Sequence, residues 1–247
     1  MKEIAALLML IPFGVVLGIG LFFVYCALRR SRMERAADGF ARQCFDFSNR
    51  PLATGFRSSI LARPTRWLAI KGEDWTAVQA ALRLHHATPC SWEEGLVEAK
   101  EDKLFISPAI SGWILVMGSA LPDPSDDVDK FFHFISRLSQ KLGQVQYYNA
   151  NPVVNHHAWI LTESGRIYRA YAWGDGVLWN EGPITAAEKD LGLRSFDYGS
   201  ELDHFTTDGL LAANCEKVGR LAARWSVDPN AISQENWDAN GIVGEMS

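Results

Sequence analysis

Residues 159–179 read WILTESGRIYRAYAWGDGVLW, and their pattern decides the fold class. Trp159-Ile160-Leu161 runs through Glu163-Ser164-Gly165 into Arg166-Ile167-Tyr168-Arg169-Ala170-Tyr171-Ala172-Trp173. Apolar and polar positions alternate on both sides of a short glycine-containing turn, which is the signature of a β-hairpin. After the Gly174-Asp175-Gly176 turn, Val177-Leu178-Trp179 predicts a further strand.

Working outward, Trp67-Leu68-Ala69-Ile70 and Trp113-Ile114-Leu115-Val116-Met117 are short apolar runs between punctuating residues and read as buried strands. Lys103 to Ile106 and Gln144 to Tyr148 add shorter strand candidates. Helices alternate with them. Asp74 to Leu84 places Trp75, Val78, Ala81 and Leu82 on one face, and Ser91-Trp92-Glu93-Glu94 and Thr185 to Glu188 are capping boxes. Asp126 to Leu142 carries Val128, Phe131, Phe132, Ile135, Leu138 and Leu142 at helical spacing, which predicts that Phe132 and Leu138 are fully buried. Thr207 or Asp208 caps a last helix with Leu211, Cys215, Val218, Leu221, Ala222 and Trp225 as its stripe. The expected fold class is α+β, one domain with a mainly antiparallel sheet and helices packed on one face.

At the N-terminus an uninterrupted apolar run from Ile4 to Leu28 is closed by Arg29, Arg30, Arg32 and Arg35. As an α-helix it rises ~37 Å, more than the ~30 Å of hydrocarbon a span must cross. Its core is too long for a cleaved signal peptide, and Met1-Lys2-Glu3 lacks the positive bias such a peptide needs. An N-terminal transmembrane helix in the inner (plasma) membrane is therefore expected, and the arginines after it place the C-terminal domain in the cytoplasm. The organisation expected is an anchor over 1–28, a basic juxtamembrane helix and connector over 29–65, the globular domain over 66–229, and a loose C-terminal tail over 230–247.

Charge splits the chain more sharply than its net −5 suggests. Residues 29–63 hold eight arginines and three acids, whereas residues 64–247 hold fifteen basic and twenty-five acidic residues. The juxtamembrane arginines suit anionic headgroups, at ~1 kcal/mol per nearby charge, although setting topology explains the first four as well. The acidic domain argues against nucleic acid as a partner. Cys26 lies in the span, and Cys44, Cys90 and Cys215 form no disulfide framework, so reduced thiols are the default.

Sequence chemistry is sparse. No P-loop, dinucleotide glycine fingerprint, G-x-S-x-G, H-E-x-x-H or C-x-x-C occurs, and no cofactor or metal is implied. Asp123, Asp126, Asp127 and Asp129 lack the glycine and terminal glutamate of a calcium loop and fit the first turn of a helix. Neighbours on a strand point to opposite faces, so neither His85-His86 nor His156-His157 forms a metal site by itself. Cys90 with His85 or His156 is the weak catalytic candidate, a thiol and its base.

Of the nine tryptophans, Trp67, Trp113, Trp159 and Trp225 are explained by core packing. Trp173 and Trp179 flank a glycine-rich turn beside Asp175, Asn180 and Glu181, a composition that suits a protein-binding surface; equally, both rings could close one end of the core. The runs Phe105-Ile106-Ser107-Pro108 with Gly112 to Gly118, Arg169 to Trp173, and Ala222 to Pro229 resemble those of a family of uncharacterised bacterial proteins. The resemblance covers roughly 66–229 and implies a bacterial source and a common fold, with no functional residue. The function expected is a membrane-anchored protein whose cytoplasmic domain binds a protein or peptide partner. The alternative is a tethered hydrolase using Cys90 and a histidine.

Overall fold

The computed structural model describes residues 65–100, 102–200, 204–232 and 240–246, with the side chains of 204–208 left out. The apolar run 4–28, Arg29, Arg30, Arg32, Arg35 and the connector lie outside the described residues. Among the described residues no helix is long and apolar enough to cross a membrane.

The chain runs β1 (Arg66–Lys71), α1 (Trp75–Leu82), β2 (Leu84–Cys90), α2 (Trp92–Glu98), β3 (Lys103–Ile106), β4 (Trp113–Met117), α3 (Val128–Leu142), β5 (Gln144–Asn151), β6 (His156–Glu163), β7 (Arg166–Trp173), β8 (Val177–Glu181), α4 (Ala186–Leu191), α5 (His204–Trp225) and β9 (Gly241–Met246). The nine strands form one sheet in the order β2-β9-β3-β4-β1-β5-β6-β7-β8. Every neighbouring pair is antiparallel. The 159–173 hairpin is β6–β7, closed between Glu163 and Arg166 by Ser164 (φ 51°) and Gly165 (φ 83°). Two positive φ values in a two-residue loop match the right-handed twist of the flanking strands. Ser139 Oγ on α3 accepts the Gly165 N–H at 3.0 Å, tying the turn to the helix behind it.

Helices cover both faces of the sheet, which corrects the expectation of one covered face. On one side Trp67, Ala69, Leu115, Met117, Tyr148 and Trp159 pack under α2, α4 and α5. On the other, Leu68, Ile70, Ile114, Val116, Tyr147 and Ile160 pack under α1 and α3. The physical reason is visible in β1: its four central residues are all apolar and all at most 2% exposed, and a strand without alternation needs cover on both faces. Register lines up one transverse row across the first face, Phe105, Met117, Trp67, Tyr148, Trp159 and Tyr171. Trp67 stacks on Tyr148 at 5.1 Å and Trp159 lies 4.8 Å from Tyr171, contacts worth ~0.5–1.5 kcal/mol each beyond their buried area.

Both capping boxes form, Ser91 with Glu94 and Thr185 with Glu188, and Asp127 caps α3 by accepting the Lys130 N–H at 3.0 Å. α5 begins at His204 rather than at Thr207 or Asp208. On α3 the buried face is Phe131, Ile135 and Leu138. Phe132 is 37% exposed, which corrects its expected full burial: it sits one residue, ~100° of helix, off that face and only reaches the rim, against the Trp179 ring at 5.9 Å. Phe131→Ala is therefore expected to cost ~3–5 kcal/mol in denaturant unfolding of the full chain and Phe132→Ala less than half of that. Equal losses would show that the face is assigned wrongly.

The tail expected to be loose supplies β9, inserted between β2 and β3, so the sheet continues past residue 229. A mainly polar stretch hid four sheet-compatible residues, Gly241-Ile242-Val243-Gly244. Glycine at 241 follows from packing, because a Cβ there would stand 2.3 Å from the Phe105 ring. Trp237, within this tail, lies outside the described residues.

Candidate functional site

β8 is the terminal strand, paired with β7 in the register Trp173↔Val177, Ala172↔Trp179, Tyr171↔Asn180 and Ala170↔Glu181. A bulge at the first of these steps reverses the usual order of side chains. Trp173 packs on the α5 side, 5.4 Å from Phe196 and nearly parallel to His157. Trp179 packs on the α3 side against Phe131 and Phe132, and its Nε1–H donates to Glu181 Oε2 at 3.0 Å. Both rings are buried on opposite faces, so they close the core at that end and form no common aromatic patch. What the segment turns to solvent is Asp175 and Glu181.

The segment is held from below by an arginine the sequence analysis did not single out. Arg169 and Glu188 are an ion pair with both side chains 1% exposed, Nε to Oε1 at 2.9 Å. Arg169 Nη1–H donates to Asn180 Oδ1 at 2.8 Å and to the Glu181 carbonyl at 3.1 Å. Glu188 Oε1 also accepts the Trp159 indole N–H at 2.7 Å, and Oε2 accepts the Thr185 backbone N–H at 2.7 Å. Asn180, a sequence-predicted contact residue, is instead a hub: its Nδ2–H donates to the Phe196 carbonyl and its backbone N–H to Tyr198 Oη. Arginine on an alternating strand reads as solvent-facing, and only the capping box at Thr185 marked Glu188 in advance.

Beneath Trp173 lies a second polar cluster, His157, Asn214 and Cys215, all buried. Its composition suggests a thiol, an imidazole and an orienting amide, but the hydrogen bonds exclude that use. Asn214 Oδ1 accepts the Arg194 N–H at 3.0 Å and its Nδ2–H donates to the Arg194 carbonyl at 2.7 Å, which fixes which end of the amide is which. The Nδ2 group also lies 3.1 Å from His157 Nε2, so Nε2 must accept and the ring proton sits on Nδ1. Nδ1 faces Cys215 Sγ at 3.6 Å already protonated and takes no proton from the thiol. Burial pushes the Cys215 thiol up to about 12, so no thiolate forms near neutrality.

Burial also pushes His157 down to about 4, against a backbone hydrogen bond with Asn155 that works the other way. The folded value lies below the unfolded one, ~6.5, so the unfolded chain binds more protons between the two. Stability is therefore expected to be full above pH ~6.5 and to fall by ~2–3 kcal/mol as pH drops to ~4, a slope that His157→Gln should flatten. Asp74, Glu94 and Asp127, held low chiefly by local hydrogen bonds, lose their contributions only below the usual carboxylate value, ~4. Denaturant titrations at stepped pH separate the two windows.

The candidate catalytic residues are not brought together. Cys90 on β2 and His156 on β6 are separated by β9, β3, β4, β1 and β5, roughly 25–30 Å at ~4.8 Å per strand. His85 and His86 lie exposed at the far end of the same strand as Cys90. Burial first, then Glu94 and Glu98, raise the Cys90 thiol to about 11. Asp123, one of the four aspartates of the would-be cation loop, is buried and accepts from Ser125, Tyr147 and Asn149, with Arg66 3.7 Å away, so its charge is already answered. Among the described residues no three His, Cys, Asp or Glu side chains are placed to hold a metal ion. No family model matches the chain, and no curated protein or solved structure does either.

Proposed function

We propose that the chain is a single-pass protein of the inner (plasma) membrane, anchored through residues 4–28, whose C-terminal α+β domain lies in the cytoplasm and binds a protein or peptide partner through the segment 173–181. The membrane half rests on the sequence: twenty-five apolar residues followed by four arginines within seven positions. The observation that supports the binding half is the fixed β8 segment, its backbone clamped by buried Arg169 while the Asp175 and Glu181 carboxylates face solvent. A rigid base under solvent-facing side chains is what recognition loops share. The contacts offered are these carboxylates rather than the Trp173 and Trp179 rings.

Two experiments test the halves separately. A cysteine placed at the exposed turn, Asp175→Cys, should react with a membrane-impermeant maleimide only after the plasma membrane is opened, and neutralising Arg29, Arg30, Arg32 and Arg35 should mix the orientation. Labelling in sealed cells would overturn the topology. A photo-cross-linking residue at position 175 should trap a partner of discrete mass, whereas one at Val97, 54% exposed on α2, should not. Glu181→Lys in the chain that carries the cross-linker should remove the adduct while the domain still unfolds in one cooperative transition, and Cys90→Ser should leave the adduct intact. Trapping at both sites alike would sink the binding reading.

A further inference from the structure

The two edges of the sheet are defended differently. β2 carries Pro89, which has no N–H, and a register shift between His85 and Thr88 with His86 at φ 51°, so the edge is broken for any further strand. β8 has no proline and no residue at positive φ, although its pairing with β7 also carries a register shift. There the outward N–H of Asn180 is accepted by Tyr198 Oη at 2.8 Å, and the Phe196 carbonyl takes the Asn180 side-chain amide at 3.1 Å. Tyr198 Oη thus takes the place of a backbone acceptor of a tenth strand, while Phe196 packs over the α5 side beside Trp173. Tyr198, 60% exposed, holds the edge through one phenol, whereas an added strand would offer a ladder of backbone bonds.

We propose that the outer edge of β8 accepts an extended, positively charged segment of a partner protein by β-strand addition, with Tyr198 as the displaceable group that occupies the edge when the partner is absent. The proposal rests on the reading of 173–181 as the contact surface and names its mode. Charge selects the occupant: exposed Asp175 and Glu181 bracket β8, and Asp197 adjoins Tyr198. Basic residues near the two ends of an added strand would meet those carboxylates, which also speeds encounter. An apolar side chain on its α3 side would meet Phe132, which lies partly open beside Trp179.

The probe is a blocked peptide with the sequence of residues 166–173, RIYRAYAW, which carries two arginines and already pairs antiparallel with β8 from its inner side. It is titrated into the detergent-solubilised full chain while hydrogen exchange is followed across 177–182. Tyr198→Phe, which keeps the ring and removes the acceptor, should tighten peptide binding at least ~5-fold, and bound peptide should slow exchange at Asn180. Asp175→Lys with Glu181→Gln, in the chain with Tyr198 intact, should weaken binding at least ~5-fold, as should glutamates in place of the peptide's arginines; this arm stands even if Tyr198→Phe loosens the fold. Equal affinity for the natural chain and Tyr198→Phe with Asn180 exchange unslowed would overturn the proposal, and so would dimerisation of the variant in place of peptide binding, which assigns the edge to a second copy. A cross-link at position 175 together with unslowed Asn180 exchange leaves the contact reading standing and removes strand addition, whereas no cross-link at all removes the reading itself.

Discussion

Glu188→Gln is expected to cost ~3–5 kcal/mol of folding free energy, an effect out of scale with the loss of one charge. Surface ion pairs are worth ~0–1 kcal/mol, but here both side chains are buried, and removing one partner leaves the other's charge without water or counter-ion. The amide also cannot be turned to fit. Glu188 Oε1 faces the N–H groups of Arg169 and Trp159, and Oε2 faces that of Thr185, so in either orientation the new NH2 meets donors only. Arg169→Met should cost about as much, since it strips Glu188 of its counter-ion and Asn180 of its donor. Combining Arg169→Met with Glu188→Leu in one chain should recover much of the loss, because two apolar groups in place of a buried pair leave no uncompensated charge. Denaturant unfolding of the natural chain, the two single variants Arg169→Met and Glu188→Leu, and the double variant closes the cycle. A loss below ~1 kcal/mol for Glu188→Gln would mean that the pair is solvated in the folded chain.

This pair also bears on how the contact surface should be probed. Because Arg169 reaches both Asn180 and the Glu181 carbonyl, and Trp179 is buried against α3, substitutions at Asn180 or Trp179 disturb folding and binding together. Substitutions at Asp175, exposed in the turn, and Glu181→Gln, which keeps an oxygen for the Trp179 indole N–H, disturb folding least.

How much of this was legible in the sequence depended on how local the cause was. The β6–β7 hairpin could be read because Ser164-Gly165 and the alternation around it are contiguous, and both capping boxes because their reciprocal bonds span three residues. β2 escaped notice because an edge strand needs little burial; only its first and last residues are buried, and His85, His86, Thr88 and Pro89 carry no strand pattern. The second helical layer is implicit in the unbroken apolar runs of β1 and β4, since a strand without alternation needs cover on both faces. The inner clusters had no sequence signal: His157 and Asn214 are 57 positions apart, and the orientation that decides their chemistry comes from Arg194 on a third segment. Tyr198 and Asn180, 18 positions apart, are joined only by the path of the chain after α4.

The same non-locality sets the expected result at the C-terminus. Removing residues 240–247 should abolish the cooperative unfolding transition of the domain, although the segment is short. Among the described residues β9 is the one strand that pairs with β2 and joins it to the rest of the sheet, with Thr88 opposite Val243 on one side and Phe105 opposite Val243 on the other. Its loss opens two edges at once, leaves β2 with no strand to pair with, and uncovers Phe105, whose ring packs so closely that positions 95 and 241 must both be glycine. Val243, 1% exposed, would alone forfeit ~1.5–3 kcal/mol of burial, and the two lost ladders take the total to at least ~5 kcal/mol, the lower end of the whole stability of a typical domain. Gly241→Val should approach the deletion from the opposite direction, by forcing a side chain into the Phe105 ring rather than by leaving a gap. A synthetic peptide of residues 240–246 added to the truncated chain should restore part of the transition in proportion to its concentration, since strand pairing supplied in trans obeys mass action. A truncated chain that unfolds within ~1 kcal/mol of the intact one would show that β9 is an ornament on a sheet already complete at β3, and the sheet order β2-β9-β3 would have to be wrong.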